Sequence, residues 1–256
     1  MDRRDDEFYV GYLRESPPRI AAHTRVTVGL VLAIGLAVGL LAVSGQGRFD
    51  AGTFEYGVER AFEGLVLERP YPMLLVPAAA GSTQVFESHY LVAFGKRGAQ
   101  SLVAGMDGAA VRVVGSRIHN GSERMVDVRR IEPLDAARAA ELRALERVGE
   151  QSLGTMTLVG EIVDSKCHLG VMKPGRGKPH EACAIRCLSG GIPPVLRVEG
   201  RTGRAVYFLL VAPDGHSVNR EVLHLVAEPV EIKGEVARAG DLLVLYADPS
   251  TYRRAE

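Results

Sequence analysis

Two stretches of this chain carry the same order of strand-like segments and glycines, and that duplication limits what it can fold into. Phe62-Glu63-Gly64-Leu65-Val66 resembles Leu158-Val159-Gly160-Glu161-Ile162-Val163, and Pro72-Met73-Leu74-Leu75-Val76 resembles Pro194-Val195-Leu196-Arg197-Val198. The best correspondence comes late in each copy. Val111-Arg112-Val113-Val114-Gly115, then Gly121, faces Val230-Glu231-Ile232-Lys233-Gly234, then Gly240, with no gap between the glycines. Asn120-Gly121 and Ala239-Gly240-Asp241 read as tight turns joining hairpin strands.

Spacing sets one segment apart. From the proline to the later glycine is 43 residues in the first copy (72 to 115) and 40 in the second (194 to 234). From the early glycine to that proline is 8 residues in the first copy (64 to 72) but 34 in the second (160 to 194), so the second copy carries a 26-residue insertion. All three cysteines of the chain lie in it, between residues 167 and 191. Because copy one closes the same strand pair without such a segment, the insertion reads as an addition that the barrel can lose.

Each copy offers five short apolar or alternating runs: 64–68, 73–76, 85–94, 111–118 and 125–128, then 157–163, 195–198, 205–211, 230–236 and 242–246. Five strands in about 75 residues, with glycine where strands bend, predict a small Greek-key barrel of the OB type. Residues 102–106 and 222–226 take the place of the short helix between third and fourth strands. The expected fold is therefore mainly β: two tandem OB-like barrels, 55–130 and 152–256, joined by a linker helix within 131–151. The sequence LDAARAAELRALERV (134–148) supplies that helix.

Residues 26–43 (VTVGLVLAIGLAVGLLAV) hold no charge. Eighteen residues at about 1.5 Å each make about 27 Å, enough to cross the hydrocarbon layer. The run is longer than the apolar part of a signal peptide and sits behind 25 residues, so 26–44 reads as a retained anchor. Arg14, Arg19 and Arg25 precede it while Arg48 and Arg60 follow, a bias that puts the N-terminus in the cytoplasm and the bulk outside an inner membrane, in the periplasm. Residues 1–25 read as a disordered cytoplasmic tail, with Phe8, Tyr9 and Tyr12 forming a docking peptide as the alternative. Lysine plus arginine equals aspartate plus glutamate at 31 each, which gives no pull toward nucleic acid.

The insertion is where chemistry concentrates: Cys167-His168, eleven residues, His180-x2-Cys183-x3-Cys187. Residues 179–188 (PHEACAIRCL) predict a short helix opened by Pro179 and stopped by Gly190-Gly191. At about 100° per residue His180, Cys183 and Cys187 share one face, and the Gly-, Pro- and Lys-rich loop 170–178 can fold Cys167 back toward them. Three readings stand. Cys167, His180, Cys183 and Cys187, with His168 as a further candidate, bind zinc or copper, and Met172 is a soft ligand for the latter. Alternatively Cys167 bridges to a helix cysteine and staples the insertion. In the third, the site handles haem or electrons, although no C-x-x-C-H is present. Asp164 could orient an insertion histidine or simply cap a turn. His89, His119, His216 and His224 read as structural or solvated.

The run Gly160-Glu161-Ile162-Val163-Asp164-Ser165-Lys166-Cys167, then His180-Glu181-Ala182-Cys183-Ala184-Ile185-Arg186-Cys187, then Gly190-Gly191-Ile192-Pro193 resembles a group of uncharacterised exported or anchored bacterial proteins. These share G-x-[IV]-[VI]-D-x-K-C…H-x-x-C-A-x-x-C-x-x-G-G-x-P. The resemblance covers residues 157–198 and implies a bacterial extracytoplasmic setting. The anchored barrel is more loosely similar to OB-fold periplasmic haem chaperones, whose haem-binding histidine motif has no counterpart here. The expected function is a non-enzymatic, membrane-anchored accessory protein holding a metal, in service of a membrane oxidoreductase or its assembly. A disulfide-stapled interaction module and a thiol–disulfide redox protein are the alternatives.

Overall fold

The computed structural model describes residues 15–46, 52–145, 149–200 and 205–255. Residues 1–14 of the expected tail and 146–148 of the expected linker helix lie outside these. Helix α1, Pro18–Gln46, belongs to a compact unit of its own. It starts eight residues before the apolar run, with Pro18 at the helix start, where its missing N–H costs nothing. Val26, Leu30, Val31, Ile34, Leu41 and Val43 are all exposed, so apolar surface faces every side. By length and composition Pro18–Gly45 can cross a membrane.

The second unit contains both barrels. Its first half runs β1 (Thr53–Phe54), β2 (Arg60–Leu67), β3 (Met73–Pro77), β4 (Phe86–Ala93), β5 (Arg97–Gly98), α2 (Gln100–Val103), β6 (Ala110–Asn120) and β7 (Glu123–Pro133). Strand β2 pairs antiparallel with β3 and β6, β3 with β4, and β6 with β7, while β4 and β7 close the barrel in parallel. Helix α3 (Ala136–Ala144) follows, capped by Asp135, whose carboxylate accepts from Arg138 N. It is shorter than the run 134–148 because Asp135 caps its start and Leu145 already has extended backbone.

The second half runs β8 (Gln151–Asp164), α4 (Glu181–Ser189), β9 (Pro194–Glu199), β10 (Ala205–Val211), β11 (Pro229–Ala239), β12 (Leu242–Tyr246) and β13 (Arg253–Arg254). The pairing repeats the first half strand for strand: β8 with β9 and β11, β9 with β10, β11 with β12, and β10 parallel to β12. A 3-10 turn at Leu223–Leu225 stands where α2 stands in the first barrel. The two paired glycines of the sequence sit at equal constraints. A Cβ on Gly115 would lie 2.2 Å from the Asp127 carbonyl oxygen, and one on Gly234 would lie 2.4 Å from that of Tyr246. Both hairpin glycines, Gly121 and Gly240, have φ of +59°.

Each barrel has its own core: Val66, Leu74, Leu91, Val113 and Val126 in the first, Ile162, Leu196, Leu210, Val230 and Ile232 in the second. A third cluster lies between them and belongs to neither. It joins Tyr71, Met73, Tyr90, Ile118 and Met125 of the first barrel to Val163, Leu169, Ile192, Leu209 and Val244 of the second, with Cys167 and Cys187 included. Polar ties reinforce it. The buried Tyr71 hydroxyl donates to Leu210 O at 2.8 Å and accepts from Val218 N at 3.0 Å. The Asp241 carboxylate, in the β11–β12 turn, accepts from Ser88 N and pairs with Arg124.

The insertion is packed into the core. Leu169, Cys167, Cys187 and Ile192 belong to the shared cluster, and Ala184 and Leu188 of α4 belong to the core of the second barrel. The expectation that the barrel can lose it drew on the short link of the first barrel. Here the longer link supplies core side chains that its own barrel and the interface both use.

Candidate metal centre

Strand β8 ends on Asp164, which is fully buried. Its Oδ1 accepts from Cys167 N at 2.9 Å, turning the chain back on itself, and Cys167–Val171 then wind into a single wide turn. The loop returns, held by Glu161 Oε1 accepting from Gly177 N, and Lys178–His180 form a 3-10 turn that leads directly into α4. Pro179 thus opens the preceding turn rather than α4 itself. At the far end, Gly190 N donates to the Arg186 and Cys187 carbonyls and Ile192 N to that of Cys187, closing the helix as the glycine pair predicted.

These local folds bring the cysteines together. Cys167 Sγ lies 3.8 Å from Cys183 Sγ and 3.9 Å from Cys187 Sγ. Ligand atoms of Cys167, His180 and Cys183 all lie within 4.8 Å of one another, as do those of Asp164, Cys167 and Cys187. Cys167 is common to both groups. His180 Nε2 is 2.8 Å from Asp164 Oδ2, and both side chains are buried. Asp164 therefore does both things expected of it: one oxygen caps the turn and the other holds the histidine. With Nε2–H donating to the carboxylate, the imidazole lone pair is left on Nδ1.

All three cysteines are free thiols. The disulfide-stapled alternative is not what the fold shows, since the insertion is already held by core packing and by the first barrel. Cys187 beside it, burial and the Asp164 charge all push the Cys167 thiol upward, so its anion is disfavoured without a cation. His168, the further ligand candidate, joins neither group. It is buried with its ring centroid 4.5 Å from that of Tyr207. Met172 is exposed.

No protein-family model matches this chain, and no curated protein matches its sequence. The site stands on its own geometry.

The contacts of Lys166 in the second barrel, and of Lys96, Gly98, Gln100 and Asp127 in the first, were not singled out by the sequence. Lys166 is buried, and its ammonium donates to the Ala93 and Gly95 carbonyls at 2.9 Å and to Asp127 Oδ2 at 3.1 Å. Lys96 Nζ donates to Cys183 Sγ at 2.5 Å, a contact that raises the lysine's pKa. One main-chain and one side-chain bond grip the other end of the insertion: Gly98 N donates to Gly190 O at 2.9 Å, and Gln100 Nε2 to Gly191 O at 2.7 Å. Residues 93–100 of the first barrel thus hold both ends of the segment that carries the thiols. The only sequence signal was the lysine inside the D-x-K-C run. A lysine is ordinarily solvated, and nothing local marks one that is buried against a distant aspartate.

Proposed function

We propose that this chain is a membrane-anchored extracytoplasmic accessory protein that holds a metal ion on Cys167, Cys183, Cys187 and His180. One observation carries the reading. Two Sγ–Sγ distances, 3.8 and 3.9 Å, match the edge of a tetrahedron of sulfurs about 2.3 Å from a central zinc, which is about 3.8 Å. Unbonded thiols at that spacing, beside a histidine oriented by a buried carboxylate, form a donor set for a soft or borderline metal. A metal there would supply the positive charge that buried thiolates lack.

Charge supports zinc over Cu(I). Three thiolates and Asp164 bring four negative charges, and Lys96 returns one. A divalent ion leaves a smaller residue than a monovalent one, and uncompensated charge is costly where ligands are buried. With four protein donors no coordination position stays open for a substrate, which fits a structural or metal-carrying role better than hydrolysis.

The apolar helix Pro18–Gly45 supports anchoring, and the arginines before it support a cytoplasmic N-terminus with the barrels in the periplasm. The resemblance of residues 157–198 to exported bacterial proteins points the same way. Service to a membrane oxidoreductase or its assembly follows from placing a thiol-rich metal centre at a membrane surface. X-ray absorption on the zinc-loaded full chain tests the ligand set. The expected shell is three sulfurs at about 2.3 Å and one nitrogen at about 2.0 Å. A shell of light atoms only would overturn it.

A further inference from the structure

We infer that Lys96 is a positioning residue of the metal centre, delivered by the first barrel to cap Cys183 and control the route by which metal leaves. This rests on the metal reading above and adds to it a gate and a second barrel's contribution. Cys167, Cys187 and His180 are buried, whereas Cys183 retains some exposure. An attacking ligand or electrophile therefore meets Cys183 first. The group that stands at that sulfur is the Lys96 ammonium, at 2.5 Å, on an exposed side chain.

The position of Lys96 is built rather than incidental. It lies in the turn between β4 and β5, and the residues on both sides of it are fixed to the insertion. Ala93 O and Gly95 O accept from the buried Lys166 ammonium, and Gly98 N donates to Gly190 O. The Lys96 carbonyl itself runs so close to Gly190 that a Cβ there would overlap it at 1.9 Å. Backbone at 96 is thereby locked against the end of α4, one turn from Cys187, and the side chain reaches back to Cys183.

Two effects follow from an ammonium donating to a metal-bound thiolate. It neutralises part of the excess negative charge of a three-thiolate complex, which strengthens holding of the ion. It also draws charge from the sulfur, which lowers its reactivity. Alkylation by iodoacetamide makes the second effect measurable. The Cys183 sulfur attacks the methylene carbon, an S–C bond forms, iodide leaves, and the resulting thioether no longer holds the metal.

The test uses the full chain loaded with zinc, as wild type, Lys96→Met and Lys96→Arg. Zinc released on addition of iodoacetamide is followed with pyridylazo-resorcinol, and zinc affinity is measured by competition with the same dye. Lys96→Met should release zinc about tenfold faster and bind it about tenfold more weakly, the size of one charge-assisted hydrogen bond. Lys96→Arg, which keeps charge and donors, should stay close to wild type. Equal release and affinity in Lys96→Met and wild type would overturn the inference while leaving the metal site intact. So would an arginine variant as leaky as the methionine one. A wild-type chain that takes up no zinc would overturn the metal reading itself, and the role of Lys96 with it.

Discussion

The two barrels share one strand order and one pattern of pairing, yet their first two strands are joined in different ways. In the first barrel β2 ends at Leu67 and β3 starts at Met73. In the second, β8 ends at Asp164 and β9 starts at Pro194. The short link carries Tyr71 into the shared core. The long link contributes Leu169, Ile192, Cys167 and Cys187 to that core, with Cys183 packed against it. The difference separates two structural jobs. One barrel supplies a clamp, through Lys96, Asp127 and Gly98, and the other carries the thiols.

Deleting residues 167–191 and rejoining β8 to β9 with a link like that of the first barrel tests this contrast most severely. Two fully buried leucines, Leu169 and Leu188, would be lost at once together with the buried Cys167, Ala184 and Cys187; each leucine is worth about 2–5 kcal/mol, against a total stability of about 5–15 kcal/mol. The expected outcome is loss of cooperative unfolding in urea. A deletion variant with a normal transition would show that the insertion is dispensable after all.

Gly115→Val and Gly234→Val probe what the copies share. Each places a branched side chain where even a Cβ meets a carbonyl oxygen at 2.2 or 2.4 Å. Both should cost more than about 4 kcal/mol, as a backbone collision does, and by similar amounts. If chemical denaturation finds one of them harmless, the equivalence of the two positions fails.

Lys166→Met probes the clamp. It leaves the Asp127 carboxylate buried without its ammonium, a loss of about 3 kcal/mol. Pairing it with Asp127→Asn should recover most of that, because the stranded charge is gone. Additive losses in a double-mutant cycle would mean the two residues do not act as a pair.

A smaller effect distinguishes the barrels by pH. His89 faces Leu74 across β3 and β4, and Phe208 faces Leu196 across β9 and β10, so a histidine in one barrel stands where the other has phenylalanine. Burial, with help from Arg124 and Arg117, lowers the His89 pKa to about 4, and neither ring nitrogen has a hydrogen-bond partner among the described residues. The nearby Glu87, at 3.9 Å, does not outweigh that burial. As pH falls below about 6.5 the unfolded chain takes up this proton and the folded chain does not. The stability tied to neutral His89 is whole above about 6.5 and drains away toward 4, by up to about 3 kcal/mol. His89→Phe should remove that slope from a urea-stability profile. An unchanged slope would place the acid sensitivity elsewhere.

Much of this architecture was legible in the sequence because its signals are local. Apolar or alternating runs marked all ten barrel strands, and Asn120-Gly121 and Gly240-Asp241 marked their hairpins at the turns where they occur. Strand β8 is twice as long as its apolar run because residues 151–156 pair with β11 on an exposed edge, where no alternation is needed. The cysteine spacing foretold a cluster, since His180, Cys183 and Cys187 ride one short helical stretch. The contacts that finish the site could not be read this way. Lys96 and Cys183 are 87 residues apart and Lys166 and Asp127 are 39 apart, and each pair meets only after two barrels have docked. His168 falls in neither ligand group for a related reason: adjacency to Cys167 in sequence says nothing about the direction a turn gives its side chains.

Metal content of the full chain, purified under reducing conditions, bears most directly on the central claim that the insertion of the second barrel is a metal centre. The account predicts about one zinc per chain, falling to near zero in the Cys183→Ser, Cys187→Ser double variant while β-structure persists. Fewer than about 0.1 zinc or copper per wild-type chain, with no uptake when metal is supplied to the reduced protein, would contradict it.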